Sequence, residues 1–246
     1  MQETPKDRNP SRRAAQLWSL AFFVLGSATV ALHWRIATLP LAAEGIPLLL
    51  ACFGAAFLAY LGGIFVARRL RGAPTRVVVW VFLVAAASMA AHWRSPELLS
   101  SEVNRYRWDG LVAREGFNPY EVSPADPELA ALRASFPDPI PAPTRSGLYP
   151  PLAELLFYGM ARLDRISVLD FRVLFSAAAL LAGLTLIPLC RAAGVPTVHA
   201  AFLLWHPLLI LETAGNAHLE ALGLFFLLAS LALLFGRHQL TPLAAL

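Results

Sequence analysis

The segment from Ser100 to Pro151, SSEVNRYRWDGLVAREGFNPYEVSPADPELAALRASFPDPIPAPTRSGLYPP, decides how the rest of the chain is arranged. It is rich in carboxylates, arginines and aromatic residues, whereas the 246-residue chain as a whole is 57% hydrophobic and only 15% charged. Soluble domains are about a quarter charged. The segment therefore predicts a long loop outside the lipid, set among helices that span a membrane.

Apolar runs on both sides of this segment predict about six spans, and so an all-α, polytopic transmembrane helical bundle. The runs cover about residues 17–33, 46–67, 77–92, 168–190, 195–211 and 219–235. We expect Pro207 to kink the fifth span, because proline removes a backbone hydrogen bond inside a helix. The apolar start LTPLAAL after the sixth run indicates that this chain is the N-terminal portion of a longer protein.

Basic residues beside the spans set the expected orientation. Lys and Arg gather in the tail 1–16, in the segment 68–76, and at Arg191 and Arg237. Since such clusters favour the cytoplasmic side, we predict a cytoplasmic N-terminus, a transmembrane domain over 17–246 and an extracytoplasmic loop over 93–167. The same clustering accounts for the net charge of +4 without a nucleic-acid partner.

The loop itself is expected to hold short helices only. Prolines are frequent after Asn118, which disfavours a long regular helix there. The apolar run LAELLFYGMARLD after Pro151 is too short to cross a bilayer. It is typical of a helix that lies at the membrane surface with its apolar side in lipid.

Four chemically active side chains fall together if Ser101–Ala113 is helical. Glu102, Arg105, Tyr106 and Asp109 then lie at i, i+3, i+4 and i+7, on one face. Sugar transfer from a phosphate needs such groups, because a carboxylate takes the acceptor proton and a cation stabilises the departing phosphate. Paired acids could also hold Mg²⁺ or Mn²⁺, so a divalent cation is one candidate cofactor, and a metal-free site is the other interpretation. The alternative is a solvated helix with an Arg–Asp pair.

A second polar cluster lies in WHPLLILETAGNAHLEALG, residues 205–223, at the end of the fifth span. Ionisable side chains at membrane depth indicate function, since burying them is unfavourable. Its polar residues include Glu212, Asn216, His218 and Glu220. The predicted topology brings this cluster to the same membrane face as the loop. A helix running on through Gly215 would place several of them on one side, whereas a break there leaves a hydrated loop before a helix start.

The loop aromatics allow two interpretations. Trp93, Trp108, Tyr120 and Tyr149 suit an interfacial aromatic belt, which we favour for most of them, or platforms on which a sugar stacks. Tyr149 precedes Pro150-Pro151, whose fixed φ angles make the re-entry of the loop rigid or simply begin a helix.

Taken together and in order, these motifs resemble a group of bacterial membrane glycosyltransferases. The group's pattern is roughly S-x-D-[VI]-Y-R-Y-x-W-D-G, then G-x-N-P-Y, then Y-P-P before an apolar helix. Here it corresponds to residues 100–110, 116–120 and 149–151. Residues 205–221 resemble the group's W-N-P-L…E…G-H-x-[DE]-A motif. These are polyprenyl-phosphate-sugar-dependent enzymes of the GT-C superfamily, similar to bacterial α-mannosyltransferases.

The resemblance implies a hexosyltransferase of the bacterial cytoplasmic membrane, with a mannose-like sugar on a polyprenyl-phosphate donor and a glycan or lipid-linked glycan as acceptor. The motif's catalytic aspartate corresponds to Glu102 and its first tyrosine to Asn104, two departures from the pattern. We expect Glu102 to be the general base, with Asp109 as the second candidate. Substrate contacts are expected from Arg105, Tyr106, Trp108, Asn118, Tyr120, Tyr149, Glu212, His218 and Glu220.

Two alternatives stay open. A transporter or flippase for lipid-linked glycans would place charges along several spans near the midplane, whereas these spans are nearly free of charge. An inactive or truncated relative would bind only lipid or a partner, and the two departures at Glu102 and Asn104 are consistent with it.

Overall fold

The computed structural model describes residues 10–39, 45–70, 75–96, 99–163 and 166–237, and these contain helices and no strand. The predicted all-α fold is confirmed. The α-helices are α1 (Pro10–Ala37), α2 (Ile46–Ala67), α3 (Thr75–His92), α4 (Glu102–Arg114), α5 (Ala130–Ser135), α6 (Pro151–Ala161), α7 (Val168–Ala192), α8 (Ala201–Leu204), α9 (Pro207–Ile210) and α10 (Glu220–Arg237). Shorter 3-10 helices cover Pro127–Leu129 and Thr197–Ala200, and a π-helix covers Leu211–Gly215.

Within the described residues, α1, α2, α3 and α7 are long and apolar enough to cross a membrane. The bent pair Thr197–Leu204 and Pro207–Gly215 makes a fifth span if it is counted as one. The sixth predicted span is α10, whose apolar part, Glu220–Phe235, is shorter. The described residues thus contain four or five candidate membrane-spanning helices, and the predicted number of six spans stays a prediction.

The expected break at Pro207 is confirmed. The chain leaves α8 after Leu204 and re-enters a helix at Pro207, and the two halves meet at 61°. Proline suits this position because the first turn of a helix needs no backbone donor. The bend turns the second half so that its end lies beside the segment that precedes α4, where the Leu99 backbone N–H donates to Asn216 Oδ1 at 3.1 Å.

Trp205, at the bend, lies at the centre of the bundle core. Its ring stacks on Phe22 of α1 at 4.5 Å between centroids, and its indole N–H donates to the Val81 carbonyl of α3 at 3.0 Å. Gly63 of α2 makes room for it, since a Cβ there would lie 3.1 Å from the ring. One side chain thus joins the broken span to three neighbouring helices.

The long loop has a hydrophobic core of its own. Trp108 and Val112 of α4 pack with Leu129, and the Trp108 ring meets Phe136 edge-on at 5.6 Å. Aromatic side chains bury large apolar areas, so this cluster holds the proline-rich part of the loop against α4. As expected from its prolines, the loop contains only the short α5 and a 3-10 turn between Asn118 and α6.

Helix α6 has one buried face and one exposed apolar face. Ala153, Glu154 and Phe157 face the protein, whereas Leu152 and Leu155 are exposed. An exposed apolar face beside long apolar helices favours the predicted position at the membrane surface, which stays a prediction.

Gly110 lets α4 and α6 touch through their backbones. A Cβ on Gly110 would lie 2.6 Å from the Phe157 carbonyl carbon and 3.2 Å from Ala161 Cβ. We expect Gly110→Ala to lower the free energy of unfolding by about 1–3 kcal/mol, because the extra methyl forces the helices apart. Thermal melting in detergent measures this.

Gly159→Ala is the matched control, since a Cβ there meets nothing within 4 Å. Alanine favours helix over glycine, so this variant should melt at or above the wild-type temperature. Equal melting temperatures for the two variants would contradict the close contact.

Candidate functional site

The first part of the site is the N-terminal half of α4. Arg105 Nε lies 2.7 Å from Asp109 Oδ1, and the Tyr106 hydroxyl donates to Glu102 Oε2 at 3.4 Å. The predicted helical face is therefore present. Its two carboxylates differ, however, because the Glu102 side chain is 52% exposed whereas that of Asp109 is 2% exposed. Glu102 also sits in the first turn, where the helix dipole favours a negative charge.

The second polar cluster meets this helix. His218 Nδ1 lies 2.8 Å from Glu212 Oε2, and His218 Nε2 lies 3.9 Å from Glu102 Oε2. Asn216 Nδ2 donates to the same Glu212 oxygen at 3.0 Å. Glu102, His218 and Glu212 thus form one row, which we call the Glu–His–Glu row. The two clusters lie at one end of the bundle, as the topology predicted.

The row forms although the helix does not continue through Gly215. The π-helix ends there, and Ala217 adopts a left-handed φ of 57°. This turn brings His218 back over Glu212, where the His218 backbone N–H donates to the Glu212 carbonyl at 2.9 Å. A side chain is strained at such a φ, so the local packing must hold the turn in place.

Arg172 of α7 ties the surrounding segments together. Its guanidinium donates to the carbonyls of Ser95 at 2.6 Å and Pro96 at 3.2 Å, after the end of α3. It also donates to the Gly215 carbonyl at 2.6 Å, at the end of the π-helix. Carbonyls at helix ends attract a cation, and one side chain thereby fixes the segments that lead to Glu102 and to His218.

Tyr106 stands in an aromatic stack beneath the row. Its ring lies parallel to Phe157 at 4.7 Å and meets Tyr149 edge-on at 5.0 Å. Burial raises the pKa of the Tyr106 phenol, and the nearby Tyr149 and Glu102 raise it further. The phenol therefore stays neutral and can donate a hydrogen bond to Glu102.

Three other predicted substrate contacts, Trp108, Asn118 and Tyr120, make contacts within the loop, whereas Glu220 lies within electrostatic reach of the Tyr106 phenol. Trp108 is 1% exposed inside the loop core, so its ring is available neither for a belt nor for stacking on a sugar. Asn118 caps its own turn by accepting from the Tyr120 backbone N–H at 3.1 Å. The Tyr120 hydroxyl donates to the Tyr149 carbonyl at 2.6 Å. Glu220 is exposed at the start of α10.

Arg105 is not free to contact a phosphate in this structure. Its side chain is 1% exposed, with Nε on Asp109 and Nη1 donating to the Ala142 carbonyl at 3.2 Å. Burial raises the pKa of Asp109 to about 6, although Arg105 acts in the opposite direction. Sequence reasoning missed the third charged group beside this pair, Glu154 of α6, whose signal was a lone carboxylate inside an apolar run.

The described residues contain no group of three or more His, Cys, Asp or Glu side chains that could hold a metal ion. No step below depends on a divalent cation.

Apolar helices that end in a row of carboxylates and a histidine define a membrane protein with an enzyme-like polar site. Residues 11–246 match the MptA_B family, described as alpha-(1->6)-mannopyranosyltransferase, N-terminal domain, and the chain belongs to this family. The resemblance seen in the sequence is confirmed, and the chain is a glycosyltransferase of the mannose type. Comparison with curated proteins and with solved structures gave no match.

Proposed function

We propose that this chain transfers mannose from a polyprenyl-phosphate donor to a hydroxyl of a glycan or lipid-linked glycan on the extracytoplasmic side, with Glu102 as the general base. The observation that carries the proposal is the exposed Glu102 carboxylate, faced by His218 and by the Tyr106 hydroxyl. The family assignment supports mannose as the transferred sugar, and the groups around Glu102 support its role as general base.

In the proposed step, the acceptor oxygen displaces the donor phosphate from the anomeric carbon in one reaction. The acceptor O–H loses its proton to Glu102, and the oxygen forms a bond to the anomeric carbon of mannose. The bond from that carbon to the donor phosphate oxygen breaks, and its electron pair leaves with the phosphate. His218, oriented by Glu212 at 2.8 Å, lies 3.9 Å from Glu102 Oε2 and can then accept the proton from Glu102.

Accessibility favours Glu102 over Asp109, the second candidate. A general base must come within about 2.6–3.2 Å of the proton it removes. The Asp109 carboxylate is enclosed and bound to Arg105 at 2.7 Å, whereas the Glu102 side chain is 52% exposed. Asp109 is better suited to holding α4 in place.

The position of the row supports a lipid-linked donor. A polyprenyl phosphate has its charged group at the membrane surface and its chain in the lipid. The row stands at the end of apolar helices, and Leu152 and Leu155 of α6 expose an apolar face nearby in the fold. The transporter alternative fits less well, because the Glu–His–Glu row gathers at one end and not along the spans.

Reconstitution in liposomes tests the donor. We expect labelled mannose to pass to a mannose oligosaccharide from mannosyl-phosphoryl-polyprenol and not from GDP-mannose. Orientation is tested by adding the acceptor only outside right-side-out vesicles. Transfer from GDP-mannose alone would contradict the proposed donor, and no transfer from well-folded protein with either donor would favour the inactive relative.

A further inference from the structure

Three ionisable side chains are buried together between α4 and α6. Arg105, Asp109 and Glu154 have exposed fractions of 1%, 2% and 6%. Charged groups are seldom buried unless they are paired, so one guanidinium facing two carboxyl groups requires an explanation.

The packing of the two helices places Glu154 level with Arg105. Tyr106 stacks on Phe157, and further along both helices Arg114 Nη1 donates to the Ala161 carbonyl at 3.1 Å. Because later residues of α4 contact later residues of α6, the two helices run in parallel. Glu154 lies one turn before Phe157, and so beside the turn of α4 that carries Arg105.

The groups that face the Glu154 carboxyl come from two elements. Helix α4 contributes the Asp109 carboxylate and the Arg105 guanidinium, and the loop contributes the backbone N–H of Tyr149. The Tyr120 phenol also lies within electrostatic reach of both acids. Neither Glu154 oxygen makes a hydrogen bond of normal geometry with a described residue.

We propose that Asp109 and Glu154 together carry a single proton beside Arg105, so that one of the two acids is neutral, and that this uncharged buried unit seats α4 on α6 and thereby positions Glu102. The role in positioning rests on the proposed function, whereas the shared proton does not. Two ionised carboxylates beside one guanidinium would leave a net negative charge in a site of low dielectric, which is strongly unfavourable.

The titration of the two acids is consistent with one shared proton. Burial, then the Asp109 carboxylate, raises the pKa of Glu154 to about 7, against smaller opposing effects of Arg105 and Tyr149. Since the Asp109 pKa is also raised, to about 6, the two groups titrate as a pair. A raised pKa in the folded state means that its stabilising contribution is complete below about pH 4.5 and is lost as the pH rises through about 7.

Helix α4 links this unit to the Glu–His–Glu row. Glu102 lies at i−3 from Arg105 on the same helix face, so a shift of α4 against α6 changes the 3.9 Å distance between Glu102 and His218. Glu154 is therefore a positioning residue and not a catalytic one.

The variant Glu154→Gln distinguishes an effect of ionisation at this position from an effect of side-chain packing. Glutamine has the shape of the protonated acid but cannot ionise. We expect the wild-type melting temperature to fall by at least about 3 °C more than that of Glu154→Gln between pH 6 and pH 8. Over the same range the transfer activity of the variant relative to wild type should rise about five- to tenfold, as the second carboxyl of the wild type ionises.

Glu128→Gln, at an exposed position of the same loop, is the matched control and should follow the wild-type curve. If wild type and Glu154→Gln show the same dependence of melting temperature on pH, the proposal is overturned.

The double variant Asp109→Asn/Glu154→Gln is a second test, because it leaves Arg105 without a counter-charge. Its drop in melting temperature should exceed the sum of the two single drops, and an additive drop would also overturn the proposal. Melting needs no donor, so this test remains decisive if mannose transfer is not observed.

Discussion

Glu102→Gln is expected to lower mannose transfer by about 10²–10⁴-fold while leaving the fold intact, since a general base contributes about that much. Glutamine keeps the size of the side chain and can still accept from the Tyr106 hydroxyl, but it cannot take the acceptor proton. Because Glu102 is 52% exposed, its replacement should shift the melting temperature little. Initial rates in liposomes, with donor and acceptor saturating, give the change in kcat.

Asp109→Asn is the comparison that separates catalysis from structure. Its buried carboxylate is bound to Arg105, so we expect this variant to lose melting temperature and activity together. Glu102→Gln should lose activity alone, and the exposed Glu128→Gln should lose neither. If Glu102→Gln keeps more than a third of the wild-type rate, the proton is accepted by another group and the assignment is wrong.

The helices that carry the fold were largely predictable from the sequence. Helix α2 covers the predicted residues 46–67, and α7 begins at the predicted Val168. Long apolar runs leave little choice in a bilayer, because only a helix satisfies its own backbone groups there. The kink at Pro207 was predictable as well, because a proline inside a span removes a backbone hydrogen bond.

The meeting of the two polar clusters was predictable only in outline. The predicted spans place both clusters on one side of the membrane, but residue spacing does not predict the contact between His218 and Glu212. That contact depends on a π-helix that ends at Gly215 and on a left-handed Ala217. A single alanine carries no signal for a positive φ, so this geometry comes from tertiary packing.

Two residues show where sequence reasoning reached its limit. Trp108 was interpreted as a belt or stacking residue, yet it fills the loop core, because large aromatics suit all three places equally well. The run around Glu154 was interpreted by its apolar residues, which predicted a helix at the membrane surface. The carboxylate in that run faces the protein, and only the packing against α4 reveals its partners.

Arg172→Leu is expected to lower the free energy of unfolding by about 3–5 kcal/mol, because it removes a cation whose contacts hold together the ends of α3 and the π-helix. The side chain is 3% exposed, and its bonds to the carbonyls of Ser95 and Gly215 are both 2.6 Å. Without the guanidinium the buried Gly215 carbonyl and the partly buried Ser95 carbonyl each lose a donor. Thermal melting measures the loss, and the exposed Arg162→Leu is the matched control, with a shift near zero.

Arg172→Lys tests whether charge alone is enough. Lysine keeps the cation, but its compact ammonium cannot reach the two sides that the planar guanidinium joins. We therefore expect intermediate stability together with a marked loss of transfer activity, since the segment from Gly215 to His218 is released while the helices remain. The Trp93 carbonyl also accepts from Arg172, at 3.3 Å, and thermal melting and mannose-transfer rates measure the two effects. A lysine variant with wild-type activity would show that the row is held by its own turn at Ala217 and not by Arg172.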